Sequence, residues 1–172
     1  MNVLKKIQNR LPLKHFNKFL NKTYIPNSRE HIYIEPSSFC NLNCVFCAYG
    51  KKNSPKTNVS LEDFKYRVKQ ATSIGFSSIG LTPITGDIFM DKGIYKKFDF
   101  LENDRDVKDY HFFTNGIIFD QNKIDLLLNY KKLSNLSISI YGHNSEYFVK
   151  LSRGSLNEYK RLVKNISYLS TQ

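Results

Sequence analysis

Residues 31–47 read HIYIEPSSFCNLNCVFC. A run rich in β-branched and aromatic residues near 32–36 reads as a strand, and Cys40, Cys44 and Cys47 follow it with CxxxCxxC spacing, on the loop beyond the strand's carboxyl end. Thiolates are soft ligands, suited to zinc or to an iron–sulfur cluster. A closed structural zinc site wants a fourth protein ligand, and distant histidines such as His31, His111 and His143 have no ligand-like spacing. Three cysteines leave one metal position open, as a catalytic metal requires. A zinc knuckle or buried thiols are the plainer alternatives.

Outward from this loop, strand-like runs near 32–36, 77–82, 109–114 and 135–141 alternate with helical patterns near 60–73, 91–102, 121–130 and 145–169. Four such βα units predict an α/β fold with parallel pairing through right-handed crossovers, as an open doubly wound sheet or a barrel-like closure. Ser60 with Asp63, and Ser145 with Glu146, mark helix starts. In the fourth strand Leu136, Ile138 and Ile140 alternate with Ser137, Ser139 and Tyr141, so one face is apolar and the other lines a site. Ligands of parallel α/β folds sit at the carboxyl ends of strands. Those ends carry the cysteine loop, Thr85-Gly86-Asp87, Thr114-Asn115-Gly116 and Tyr141-Gly142, all at one mouth.

The chain of 172 residues, 41 % hydrophobic, is long enough for one buried core. Residues 1–30 are basic, with Val3, Leu4, Ile7 and Leu11, then Phe16, Phe19 and Leu20, at helical spacing on either side of Pro12. They predict a helical extension packed on a core spanning 31–172. The net charge of +11 is spread along the chain and reads as a solvated basic surface, so a nucleic-acid partner is not expected. No apolar run approaches the roughly 20 residues of a membrane span, and the N-terminus lacks the apolar core of a signal peptide. Together with three cysteines inside one short segment, this predicts a cytoplasmic protein in a reducing compartment.

CxxxCxxC with Phe46 just before the last cysteine resembles the signature of the radical S-adenosylmethionine (SAM) superfamily, and the likeness runs from about residue 31 to 160. The resemblance implies that Cys40, Cys44 and Cys47 hold a [4Fe-4S] cluster whose free iron is chelated by SAM, with Phe46 near the adenine. Gly86 and Asp87, in LTPITGDIFMD, match the family's Gly-Glu motif for the methionine ammonium, with Asp one methylene shorter. FFTNG and SISIYG resemble the family's third and fourth strand ends and make Thr114 and Ser139 candidates for SAM contacts; Arg153, in KLSRGS, is the candidate partner of the SAM carboxylate. The activity implied is reductive cleavage of SAM to a 5'-deoxyadenosyl radical that abstracts hydrogen from a small-molecule or peptide substrate, with an electron donor such as flavodoxin or ferredoxin.

Complete cores of the family resemble a partial barrel of six βα units, whereas four are read here, so the expectation is a truncated partial barrel with an exposed fourth strand. A second chain completing the barrel is an expected partner. The competing readings are a non-catalytic iron–sulfur fragment, one half of a split enzyme, and an RNA-modifying member of the family.

Overall fold

The computed structural model describes residues 26–27, 30–48, 55–81 and 84–172. The two helices expected around Pro12 lie outside the described residues. Strands β1 (His31–Tyr33), β2 (Ser78–Gly80), β3 (Asp109–Thr114) and β4 (Leu133–Ile138) form one parallel sheet in the order β1-β2-β3-β4. Helices α1 (Leu61–Ser73), α2 (Ile94–Asn103), α3 (Gln121–Leu128), α4 (Ser145–Ser152) and α5 (Leu156–Leu169) connect or follow them, with a single 3₁₀ turn at Ile88–Met90. Each strand lies beside its predecessor, so the strand order never reverses. Right-handed crossovers then place successive helices on the same face of the sheet. The architecture is the barrel-like alternative, not the doubly wound one.

Alternation along the strands separates the two faces. Ile79, Tyr110 and Phe112 are fully buried in one core with Phe64 and Val68 of α1, Phe98 and Leu101 of α2, and Ile124 of α3. The other face carries the registers His31–Ser78–Asp109 and Tyr33–Gly80–His111. It is open: Tyr33 is 58 % and Phe113 43 % exposed. The Tyr33 ring lies directly over Gly80, where a Cβ would come within 2.4 Å of it. Ser78 Oγ donates to Asp109 Oδ1 and, its one proton spent, accepts from His31 Nδ1 at 2.7 Å.

The elements differ from the sequence expectation at their ends. β1 stops at Tyr33, with the Ile34 amide still donating to Gly80 O at 2.9 Å, and Ser37 then makes an antiparallel bridge to Asn58. β4 begins earlier than expected, at Leu133, and stops at Ile138, although the Ser139 amide still donates to Thr114 O at 2.8 Å. The single helix expected over 145–169 is two. α4 is capped by Asn144, not Ser145, and ends at Arg153, whose φ of 56° is left-handed. α5 starts afresh from a capping box in which Ser155 and Glu158 satisfy each other's amides.

A buried ion pair braces the core. Lys97 of α2 is 1 % exposed; its ammonium meets the Asp91 carboxylate and donates to Val59 O, and it stands 5.6 Å from the centre of the Phe64 ring. Asp91 Oδ1 also accepts the Gly93 amide at 2.8 Å, just before α2. Lys97→Met keeps most of the stem but strands the carboxylate without its cation, so chemical denaturation should show a loss of about 3–5 kcal/mol.

Candidate metal centre

The cysteine loop is fixed at its stem before any metal is considered. Ser38 N–H donates to Thr57 O (3.0 Å), Thr57 N–H donates to Ser38 Oγ (2.7 Å), and Val59 N–H donates to Pro36 O (2.9 Å). The segment at Gly86–Asp87, beyond β2, meets the loop. The Asp87 amide donates to Phe39 O at 2.7 Å, one residue before Cys40. A Cβ on Gly86 would fall 2.4 Å from Phe39 O and 2.7 Å from Ser37 O, so only glycine permits this approach.

The far side of the loop rests on the end of α4. The Asn43 and Val45 amides donate to Ser152 O (3.2 Å) and Leu151 O (2.9 Å), carbonyls that the end of a helix leaves unpaired. Arg153 ends that helix in its left-handed conformation, and a Cβ on Gly154 would press on Leu42 and Phe148 at 2.9 and 2.8 Å. Leu42 also packs against the small cluster of Ile117, Phe148 and Leu162. The Arg153 side chain is exposed and makes no ion pair among the described residues.

Within the loop all three cysteines are free and half-buried. The Cys47 amide donates to Cys44 O at 3.1 Å, folding the second and third thiols into one turn, and the Leu42 amide donates to Cys40 Sγ at 3.4 Å. Burial raises the Cys40 thiol pKa, the Leu42 N–H works against this, and the charges of Asp87 and Cys47 raise it further. Cys44 is pushed up to about 11, first by burial and then by Cys40 and Cys47. A cation bound by these thiols would make each a thiolate ligand.

Asp87 is the hub of the mouth. It is 2 % exposed, and its carboxylate is committed within the chain: Oδ1 accepts the Phe89 amide at 3.0 Å, and Oδ2 accepts Thr114 Oγ1–H and the Asn115 amide, each at 2.8 Å. The Thr114 hydroxyl accepts in turn from the Gly116 amide at 3.1 Å. Asp87 and Thr114, both expected to contact SAM, therefore hold each other. Burial raises the Asp87 pKa, and the Asn115, Thr114 and Phe89 donors pull it down.

Phe46 is 56 % exposed and lies 5.2 Å, ring centre to ring centre, from Tyr141, the residue two beyond Ser139. Burial raises the Tyr141 hydroxyl pKa, the Ser139 side chain hydrogen-bonds to it and lowers it, and the charges of Cys44, Cys40 and Asp87 raise it again. Cys40, Phe46, Asp87, Thr114 and Ser139 thus gather around one mouth, joined by Tyr141 and Asn115, which the sequence placed there without a role, and by Asn41, which it did not single out. Asn115 was legible as part of the FFTNG strand end, but its side-chain direction was not.

The donor set fits a cubane iron–sulfur cluster held by three thiolates. A second observation agrees: Asn41 Nδ2, beside Cys40, is a buried donor with no partner among the described residues. Among those residues no three His, Cys, Asp or Glu side chains form a ready-made single-ion site.

Fold and mouth together define a parallel α/β partial barrel that presents a three-cysteine loop at the carboxyl ends of its strands. The chain belongs to the radical SAM superfamily, whose sequence profile matches residues 34–170. A GTP 3',8-cyclase of Desulforamulus reducens is 29 % identical over 140 residues, covering 78 % of this chain and 41 % of the cyclase. Streptococcus suis SuiB bound to S-adenosylmethionine shares the fold with a TM-score of 0.66 at 20 % identity, over 97 % of this chain and 37 % of SuiB. SuiB bound to its precursor peptide SuiA gives the same TM-score and identity, over 98 % of this chain and 36 % of SuiB. Native anSMEcpe with bound AdoMet follows at 0.65 and 17 % identity, over 82 % of this chain and 40 % of that one. The chain spans less than half the length of each of these proteins.

Asp87→Ala would leave the Thr114 hydroxyl and the Phe89 and Asn115 amides without their acceptor. At roughly 1–3 kcal/mol for a buried donor left unsatisfied, the iron-free chain should lose at least about 2 kcal/mol of unfolding free energy with no SAM present. Denaturant titration of the apo protein checks this.

Proposed function

We propose that the chain binds a [4Fe-4S] cluster through Cys40, Cys44 and Cys47 and uses it with SAM as a radical enzyme. The observation that carries the reading is the cysteine loop itself, held from three sides by β2, β3 and α4 before any ligand is bound. When bound, such a cluster supplies the electron that splits SAM into methionine and a 5'-deoxyadenosyl radical. The chain's own residues hold and shield. The loop sets the three thiolates at the mouth, the Phe46–Tyr141 pair offers an aromatic wall on which an adenine stacks, and Ser139 adds a hydroxyl beside it. Gly86 and Asp87 contribute through the backbone approach and the buried clamp, and Thr114 through Asp87. Arg153, exposed at the end of α4, is the candidate cation for the SAM carboxylate.

The substrate belongs on the face of the sheet where Tyr33 and Phe113 are exposed and offer stacking, with the exposed His31 ring and the half-buried Asp109 carboxylate offering hydrogen bonds. Such a lining suits a polar small molecule or a peptide, abstraction of hydrogen being the shared step. The GTP 3',8-cyclase relative favours the first class and the SuiB–SuiA likeness the second. A flavodoxin or ferredoxin would deliver the electron. The cytoplasm suits oxygen-sensitive thiolate chemistry, and among the described residues no helix is long and apolar enough to cross a membrane.

The outer edge of β4 favours a second reading, in which another chain completes the sheet. Among the described residues β4 pairs on one side only, and Leu127, Leu133, Leu136 and Leu169 line a groove beside it. Such an edge invites pairing.

Anaerobic reconstitution should load about four irons per chain, and Cys40→Ala, Cys44→Ala and Cys47→Ala should each abolish the cluster. Stoichiometric zinc with no iron–sulfur absorption would defeat the proposal.

A further inference from the structure

The hydrogen bonds around Cys40 fix the orientation of two amide side chains. Asn115 is 5 % exposed. Its Oδ1 accepts the Ile117 amide at 3.1 Å, so its NH₂ must point the other way. That NH₂ donates to Asn41 Oδ1 at 2.8 Å and stands 4.0 Å from Cys40 Sγ. Asn41 therefore has to present its oxygen to Asn115, because turning its amide over would set one NH₂ against another. The Asn41 NH₂ is left buried with no acceptor among the described residues. An unsatisfied buried donor is costly, and the loop retains it beside the first cysteine.

We infer that Asn41 and Asn115 form an amide pair whose N–H groups serve the sulfurs of the cluster at Cys40 and tune its reduction potential. The inference rests on the proposed cluster and assigns to it two side chains that stand beside Cys40. The Leu42 amide already donates to Cys40 Sγ, and the Asn115 NH₂ faces the same atom, so the donors converge on one sulfur. The Asn41 NH₂ is the remaining donor of the pair. N–H donors stabilise a cluster more in its reduced, more negative state and so raise its potential. The clamp described above feeds this pair: Asp87 Oδ2 holds the Asn115 backbone amide, which sets where the Asn115 side chain stands.

The test is a mediated redox titration of anaerobically reconstituted protein, followed by the paramagnetic signal of the reduced cluster, in wild type and Asn41→Leu. The expected result is a full iron load in both and a more negative midpoint potential in Asn41→Leu without SAM; the iron-free variant melts somewhat lower, because the buried Asn115 NH₂ loses its Oδ1 acceptor. An equal potential at full iron load overturns the inference. So does an unchanged SAM-free potential with weakened SAM binding, since the donors would then serve the SAM carboxylate. If Asn41→Leu takes up no cluster, Asn41→Gln, which retains the NH₂, is titrated instead; loading with a near-native potential supports the pair, and failure to load overturns it. Wild-type protein that holds no cluster defeats the cluster reading and the inference together, whereas a loaded wild type with an unaltered variant defeats the inference alone.

Discussion

The mouth of this sheet depends on one buried carboxylate. Asp87 receives a hydroxyl and two backbone amides, and its own amide binds the residue before Cys40. Through it the end of β2, the end of β3 and the cysteine loop are one hydrogen-bonded body. A carboxylate this deep is tolerated because charge-assisted donors surround it. Gly86 makes the arrangement sterically feasible, since a side chain there would push the Phe39 and Ser37 carbonyls, and with them Cys40, off the end of β2.

The strand order supplies the second constraint. An unreversed parallel sheet with all its crossovers of one hand packs its helices on one side and leaves the other to line a concave surface. The fully buried Ile79, Tyr110 and Phe112 satisfy the first side with an aromatic-rich core in which Phe98 stacks on Tyr110 and Phe112 at ring separations of 5.7 and 5.4 Å. Hydrogen-bonding groups satisfy the second: Asp109, Ser78 and His31 form a chain across three strands at matched register.

Much of this was legible in the sequence because it is periodic. The β-branched runs, the helical patterns between them and the alternation of Leu136 and Ile138 with Ser137 report local geometry, and so the four parallel units and the common mouth followed from them. Whatever depends on side-chain direction did not. Asp87 reads as a ligand contact in a Gly-Asp motif, yet its carboxylate turns inward, because Thr114 and the Asn115 amide lie beside it only once β2 and β3 pair. The break at Arg153 was hidden inside an amphipathic pattern that continues on both sides of it, although Ser155 and Glu158 carried the capping signal. Asn41 and Asn115 stand far apart in sequence and meet only through the same pairing, and nothing in either residue's local context marks them as a pair.

The central claim is that the loop ordered by Asp87 holds a cluster with a position open to SAM. Paramagnetic resonance of the reduced, reconstituted protein with and without SAM tests it most directly. The account predicts that saturating SAM changes the spectrum of the reduced cluster, because a ligand reaches the iron that the three thiolates leave free. An identical spectrum in protein shown to contain the cubane would contradict it.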